Sequence, residues 1–151
     1  MTYDSTAGRF TWIRKVNNGQ RVLRAGATTN YGYRQIQIDG CIYKEHRLAW
    51  LWCYGKWPDK HLDHINGQTD DNRIENLRDV DCRVNRENQR KAHADSSTGV
   101  LGVTKRRKDG RFIAQIKMDG KVQYLGIFDD LTEAATVYLH TKREKHEGCT
   151  L

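Results

Sequence analysis

The sequence predicts an α+β protein built from two small domains. Polar and apolar residues alternate with period two over residues 9–45, which indicates short strands separated by turns. A hairpin and a helix come next, and after the small polar stretch ADSSTG at 94–99 the strand pattern restarts and ends in one helix. We therefore expect an N-terminal β-meander with a hairpin-and-helix core over residues 1–94, and a three-stranded antiparallel sheet with one packing helix over 95–151.

The first elements are indicated by local pattern. Alternation over residues 10–13 and 33–38 predicts strands of one antiparallel meander, and Asp39-Gly40 predicts a hairpin turn into residues 41–43. The segment EHRLAWLWCY at 45–54 has apolar residues at helical spacing and is followed by Gly55, so it predicts a short buried helix. His46 at its start is expected to pack there rather than to act in catalysis.

The next segment predicts an irregular hairpin followed by a basic helix. Residues 61–65 form one strand, Asn66-Gly67 a turn, and residues 74–77 lead into the return strand. Residues 82–93 contain no Gly or Pro and predict a helix with almost no apolar stripe but several basic residues. A solvated helix face would explain these basic residues. Beside the hairpin, however, we expect Arg83, Arg86 and Arg90 to bind a nucleic-acid backbone.

The last part of the chain predicts a sheet with one helix behind it. Residues 102–106, 111–117 and 121–126 are strand-like, and the two Asp-Gly steps between them predict hairpins. A helix is expected from residue 131 to about 146, with Thr132 as its N-cap. Alternation directs Phe112, Ala114 and Ile116 toward this helix.

Composition favours a polyanionic partner. The chain has 26 Lys and Arg against 19 Asp and Glu, a net charge of +7, so nucleic acid is the first expectation and an anionic membrane surface the second. No apolar run reaches the roughly 20 residues of a membrane span, and the first residues lack a secretory pattern, so a cytoplasmic protein is expected. The four cysteines form no CxxC pair and are expected to be reduced.

The dipeptide Asp63-His64 carries the candidate chemistry. A histidine with an ordinary pKa near 6.5 is a neutral base at physiological pH. An aspartate and the amide oxygen of Asn85 suit a hard cation such as Mg²⁺. Successive side chains of a regular strand point to opposite faces, so the pair converges on one phosphate only in an irregular hairpin. Alone, the pair is weak evidence, because Asp-His pairs occur by chance.

The wider pattern is specific. DHING at 63–67, DNRIENLR at 71–78, Asn85 with Asn88, and HRL at 46–48 together resemble the HNH endonuclease family, particularly its phage and intron-encoded homing branch. The resemblance spans residues 43–88 and implies a ββα-metal fold. It also implies that the protein hydrolyses double-stranded DNA with a divalent metal, Mg²⁺ or alternatively Mn²⁺.

The resemblance also implies roles for single residues. His64 would be the general base, Asp63 and Asn85 the metal ligands, and Asn76 the amide that orients the His64 ring. Asn72 is a rival for part of that role, although an Asn after a turn commonly structures its own loop. In addition, His61 and Arg73 are equally well explained as phosphate contacts or as exposed polar residues.

Residues 98–148 resemble a second family, the Apetala-type (ethylene-response-factor) DNA-binding domain. The matching motifs are GVLGV at 99–103, RFIAQI at 111–116, YLGIF at 124–128 and EAA at 133–135. The resemblance implies a three-stranded sheet laid in the major groove, where outward side chains reach bases and phosphates. The expected DNA contacts are Lys105, Arg107, Arg111, Gln115, Lys117 and Tyr124.

The leading hypothesis is a metal-dependent DNA endonuclease that cuts at a recognised site, of the phage homing type. A DNA-binding regulatory protein with an inactive nuclease scaffold is the alternative, and a protein that binds or cleaves RNA is a third class. The sequence leaves open the target site, nicking against double-strand cleavage, and monomer against homodimer.

Overall fold

The computed structural model describes residues 1–16 and 19–151, with the side chains of residues 15–20 outside that description. The chain forms two compact units, Met1–Cys82 and Arg83–Leu151. The expected domain boundary after residue 94 falls inside the second unit.

The strands described before residue 45 form two sheets rather than one meander. One sheet has the order β1 (Thr2–Asp4), β2 (Arg9–Val16), β3 (Gly19–Arg24). The other has the order β4 (Ala27–Thr28), β5 (Arg34–Ile38), β6 (Cys41–Lys44), and neighbours in both are antiparallel. The predicted antiparallel meander pattern is confirmed within each sheet, and it is divided into two sheets between β3 and β4, where Ala25 and Gly26 lie. The predicted Asp39-Gly40 turn is confirmed, with φ of 48° and 81° as a type I′ turn requires.

Helix α1 spans Glu45–Tyr54, as predicted, and ends at Gly55 in the left-handed conformation (φ 69°). Its inner face joins both sheets in one core, because Leu48 and Ala49 pack with side chains from the strands. Each fully buried large apolar side chain in such a core contributes about 1.5–3 kcal/mol. The buried members are Phe10, Ala25, Ile36, Leu48, Ala49 and Leu77.

A buried ion pair fixes the start of α1 against the strands. Arg34 Nε donates to Glu45 Oε2 at 2.7 Å, and the Phe10 amide donates to Glu45 Oε1 at 3.2 Å. Arg34 Nη2 also donates to the carbonyl oxygen of Ala25 at 2.8 Å. The carboxylate is fully buried, but its charge is balanced and hydrogen-bonded, which is the condition for tolerating a buried ion. The next residue, His46, is thereby held in place.

The predicted hairpin follows α1. Strand β7 (His61–His64) pairs antiparallel with β8 (Leu77–Val80), so that His61 lies opposite Val80 and His64 opposite Leu77. The connecting loop ends in a 3₁₀ turn at Ile74–Asn76.

Helix α2 (Cys82–Glu87) is shorter than the predicted helix over residues 82–93, which is wrong in extent. The segment has too little apolar surface to sustain a longer helix. Beyond Glu87 its polar groups bond instead to the last residues of the chain. The Thr150 hydroxyl donates to Asn88 Oδ1 at 2.6 Å, Arg90 Nη2 donates to the Thr150 carbonyl at 2.8 Å, and the buried Lys142 donates to the Gln89 carbonyl.

The rest of the second unit is the predicted sheet and helix. Strands β9 (Val103–Lys105), β10 (Phe112–Met118) and β11 (Lys121–Phe128) form an antiparallel sheet in the order β11-β10-β9, against which α3 (Leu131–Lys145) packs. The core holds Val103, Ala114, Ile116, Ala134 and Tyr138.

The N-cap of α3 is Asp130, whose side chain accepts from the Glu133 amide at 2.9 Å. The prediction of Thr132 as N-cap is wrong because the helix begins one residue before Thr132, at Leu131. None of the helices among the described residues is long and apolar enough to cross a membrane.

Candidate active site

The Asp63-His64 dipeptide ends strand β7, and both side chains are buried, at 6% and 4% exposure. His64 Nε2 lies 3.0 Å from Asn72 Oδ1. With Asn72 Oδ1 as the acceptor, the proton lies on Nε2 and Nδ1 is the basic nitrogen of the ring. The contact fixes the orientation of the ring.

The His64 ring is biased toward its neutral form. Burial lowers its pKa below the ordinary 6.5, and this effect outweighs the hydrogen bond with Asn72 and the nearby charges of Asp63 and Asp71, which act in the opposite direction. A general base has to be unprotonated before it can take a proton from water. The site therefore keeps the histidine in the state required of a base at neutral pH.

Asp63 is held from the opposite strand. Arg78, its cross-strand partner in the β7–β8 register, donates to Asp63 Oδ2 from Nε at 2.9 Å and from Nη2 at 2.7 Å. The guanidinium balances a carboxylate that would otherwise be costly to bury. Arg78 is thus a residue of the site that the sequence interpretation missed, although its alternation with Leu77 on a short strand indicated a side chain facing Asp63.

The two loop asparagines make different contacts. Asn72 contacts the His64 ring, whereas Asn76 closes the loop behind it. Asn76 Nδ2 donates to Asn66 Oδ1 at 3.0 Å and to the Asp71 carbonyl at 2.8 Å, and Asn76 Oδ1 accepts from the Asn66 amide at 2.9 Å. The amide that orients the ring in this structure is therefore that of Asn72, and Asn76 supports the loop.

A second ion pair stiffens the same loop. Arg73 donates from Nε and Nη2 to the two carboxylate oxygens of Asp71, at 2.8 and 2.7 Å. This contact, with help from the Asn66 amide, lowers the pKa of Asp71 to about 2. Asp71 is therefore ionised at any pH at which a nuclease works. Arg73 is engaged within the loop, and its expected phosphate contact stays a prediction, as does that of the exposed His61.

The position of Asn72 depends on a distant part of the chain. The Tyr3 hydroxyl donates to the Asn72 carbonyl oxygen at 2.7 Å. Gly8, with φ of 62°, allows the backbone to approach so closely that a Cβ there would lie 2.4 Å from the Arg73 amide nitrogen. Strand β1 and the turn after it thus hold the loop residue that orients the base.

Aromatic rings surround the base. His46, buried at the start of α1, meets the His64 ring edge-on, with centroids 5.2 Å apart and an interplanar angle of 83°. Tyr33 lies 5.6 Å from His46 and 5.9 Å from His64. Burial, followed by the charges of His64 and Lys44, lowers the pKa of His46 to about 3. The expectation that His46 packs at the helix start is confirmed, and its packing partner is the candidate base.

The donor set suits a hard cation that keeps much of its water. No cluster of three His, Cys, Asp or Glu side chains that could hold a metal occurs among residues 1–16 and 19–151. Mg²⁺, however, is commonly bound by one or two carboxylates with waters and substrate phosphates completing its shell. Asp63 is such a carboxylate and fits a divalent metal bound together with DNA. Asn85, half-buried on α2 in the second unit, carries an amide oxygen, and its role as a metal ligand stays a prediction.

The predicted DNA contacts of the second unit divide into two groups. Gln115, Lys117 and Tyr124 are exposed, and Gln115 lies opposite Tyr124 on the face of the sheet turned away from α3. Lys105, Arg107 and Arg86 are exposed as well. Three others already have partners within the chain, Arg83 with Glu87 and Glu147, Arg90 with Thr150, and Arg111 with Asp129. The four cysteines are free thiols, as expected.

The short hairpin carries a neutral, oriented histidine beside a buried carboxylate. This arrangement suits a hydrolase that activates water. Residues 43–90 match the model of the HNH endonuclease family, and an HNH endonuclease domain implies a nuclease that acts on DNA. Nucleases of this family generally use a divalent metal. Comparison with curated proteins and with solved structures gave no match.

Proposed function

We propose that this protein is a metal-dependent DNA endonuclease of the phage homing type, which cuts at a recognised site. The observation that carries the proposal is the buried His64, kept neutral and oriented by Asn72 next to Asp63. Phosphodiester hydrolysis needs an activated water and stabilisation of the charge that develops on the phosphate. His64 supplies the first, and a bound cation supplies the second.

The proposed role of His64 is supported by its contact with Asn72, and the proposed metal ligands are those that the resemblance to the HNH family implies. His64 Nδ1 accepts the proton of the attacking water, while Asn72 holds the ring through Nε2. Asp63 and Asn85 would hold the metal, for which we propose Mg²⁺, with Mn²⁺ as a possible substitute. The role of Asn85 rests on its spacing from Asp63 in the sequence. The metal would stabilise negative charge on the phosphate and the leaving oxygen.

The second unit is proposed to target the cut. It carries 14 Lys and Arg against 9 Asp and Glu, so five of the chain's seven net positive charges lie between residues 83 and 151. Its sheet exposes Gln115, Lys117 and Tyr124 on the face not covered by α3. A β-sheet of this size fits the major groove, where such side chains reach bases and phosphates. Its resemblance to the Apetala-type domain gives the same interpretation.

Plasmid cleavage tests the nuclease. Supercoiled DNA with Mg²⁺ is expected to be nicked or linearised by the full chain, and chelation by EDTA should stop the reaction. His64→Gln should lower the rate by about 10²- to 10⁴-fold, the usual contribution of a general base. His140→Gln, which changes an exposed histidine on α3 with no proposed role in cleavage, is the control and should cut normally.

The outcomes separate the candidate functions. Equal cleavage rates of His64→Gln and wild type would refute the role of His64 as general base. DNA binding without any cleavage, unchanged by the substitution, would instead identify a DNA-binding regulatory protein with an inactive nuclease scaffold.

A further inference from the structure

A concavity of about 600 Å³ lies beside the candidate base in the first unit. Its walls come from the turn between β4 and β5 and from the end of β6, and include Asn30, Tyr31, Tyr33, Gln35 and Lys44. Sites for small ligands commonly occupy about 300–1,000 Å³. We propose that this pocket binds one nucleobase of the DNA strand, next to the phosphate that is cut, and this proposal rests on the proposed nuclease function.

An exposed aromatic ring lies on a hydrogen-bonded turn at the edge of the pocket. Tyr31 is 86% exposed at the tip of a tight turn. The Thr29 amide donates to the Tyr33 carbonyl at 2.7 Å, the Gly32 amide donates to the Thr29 carbonyl at 2.9 Å, and Gly32 has a φ of 80°. A large ring presented to water on a hydrogen-bonded turn stabilises nothing in the fold. Such rings serve as stacking platforms for bases.

Polar side chains line the pocket. Gln35 and Lys44 are directly opposite each other in the β5–β6 pair, so their side chains lie on the same face of the sheet. Gln35 carries a donor and an acceptor that suit the edge of a base, and Asn30 carries another pair. The ammonium of Lys44 lies 5.0 Å from the centre of the Tyr33 ring and is exposed, where it can meet a phosphate. Stacking surface, base-edge partners and a cation are what a nucleotide requires.

The pocket also lies close to the candidate general base. Tyr33 lines the pocket and its ring centre lies 5.9 Å from that of His64. One tyrosine therefore borders both the pocket and the candidate general base. Gly32 also lies against the loop of the active site, since a Cβ there would be 2.8 Å from Thr69 Oγ1. A base in the pocket therefore belongs to a nucleotide at or next to the cut.

A base that binds in this open concavity has to leave the stack. Unstacking costs least at a mismatch or in a single strand. The protein should therefore favour substrates in which the base beside the cut is unpaired. This preference would be a second layer of specificity, independent of the sheet of the second unit.

Binding without cleavage tests the pocket. The full chain, with EDTA present, is titrated into a single-stranded five-nucleotide DNA that carries 2-aminopurine at its centre, and the fluorescence change reports the dissociation constant. Tyr31→Ala should weaken binding by roughly 5- to 100-fold, the usual effect of removing a stacking ring, whereas Tyr31→Phe should bind as the wild type does. Tyr54→Ala, another exposed tyrosine of the same unit, is the control and should not weaken binding.

Equal affinity of Tyr31→Ala and wild type, or an equal loss in Tyr54→Ala, would overturn the pocket. The result is separate from the nuclease assay because no metal is present. If the protein cuts plasmid DNA but its DNA binding does not depend on Tyr31, only the proposed nucleobase pocket is refuted. If it binds DNA through Tyr31 but never cuts, the proposed nuclease function is refuted and the nucleobase site stands.

Discussion

Lowering the pH from 7 to 5 is expected to destabilise the first unit through His46. The ring is buried against His64 and Tyr33, and its pKa is lowered to about 3, mainly by burial. In the unfolded chain the same side chain titrates near its ordinary 6.5. At pH values between these two pKa values, His46 is protonated in the unfolded state and neutral in the folded state. The free energy of unfolding therefore falls as the pH falls.

The size of the effect follows from the two pKa values. One unit corresponds to about 1.4 kcal/mol, and at pH 5 the unfolded histidine is protonated about 30-fold in excess while the folded one remains neutral. His46 alone therefore lowers the free energy of unfolding by about 2 kcal/mol between pH 7 and pH 5. His64, whose pKa is also lowered, adds to the loss in the same direction.

Tryptophan fluorescence measures this unit selectively. All four tryptophans, at positions 12, 50, 52 and 57, lie in the first unit. Urea unfolding followed by their emission, at pH 7 and pH 5, gives the two free energies. His46→Phe keeps a flat ring that cannot be protonated. Between the two pH values its free energy of unfolding should fall by about 2 kcal/mol less than that of the wild type. An equal loss in both proteins would refute burial of a neutral His46.

Three further outcomes are expected. Asn72→Leu should slow plasmid cleavage at least 10-fold with DNA affinity unchanged, because the His64 ring loses its orientation. Asn76→Leu should instead mainly lower the melting temperature. The reverse pattern would return the orienting role to Asn76. Arg78→Leu should destabilise the first unit by about 3 kcal/mol by leaving a buried charge, and adding Asp63→Asn should recover much of it; a full loss in the double variant would contradict a charge effect. Lys117→Ala should reduce the salt dependence of DNA binding by about one unit of slope, and an unchanged slope would remove this phosphate contact.

The sequence predicted those elements whose signals are local. Helix α1 matches its predicted bounds because its apolar spacing and the following Gly55 both lie within a dozen residues. The hairpin turns at Asp39-Gly40 and Asp119-Gly120 are confirmed for the same reason, since only a few residue types tolerate positive φ there. Strand alternation also identified Ala114 and Ile116 as the residues that face α3.

Features that depend on distant contacts could not be predicted in the same way. The resemblance implied that Asn76 orients the base, but Asn72 is brought to the ring by Tyr3, 69 residues earlier in the chain. The early end of α2 likewise depends on Asn88 and Thr150, which are 62 residues apart. In each case local propensity is overridden by a partner that no short window contains.

The first two sheets contribute to the candidate active site, because they hold the residues that bury His64. The protonation state of His64 depends on burial, and the rings that bury it belong to Tyr33 and His46. Tyr33 immediately precedes β5, and His46 follows Glu45, which is held by the ion pair with Arg34. Weakening that ion pair would admit water to the ring, restore an ordinary pKa and shift the acidic limb of cleavage to higher pH. The sheets thus set the pH range in which the base is neutral, in addition to any contact that they make with DNA.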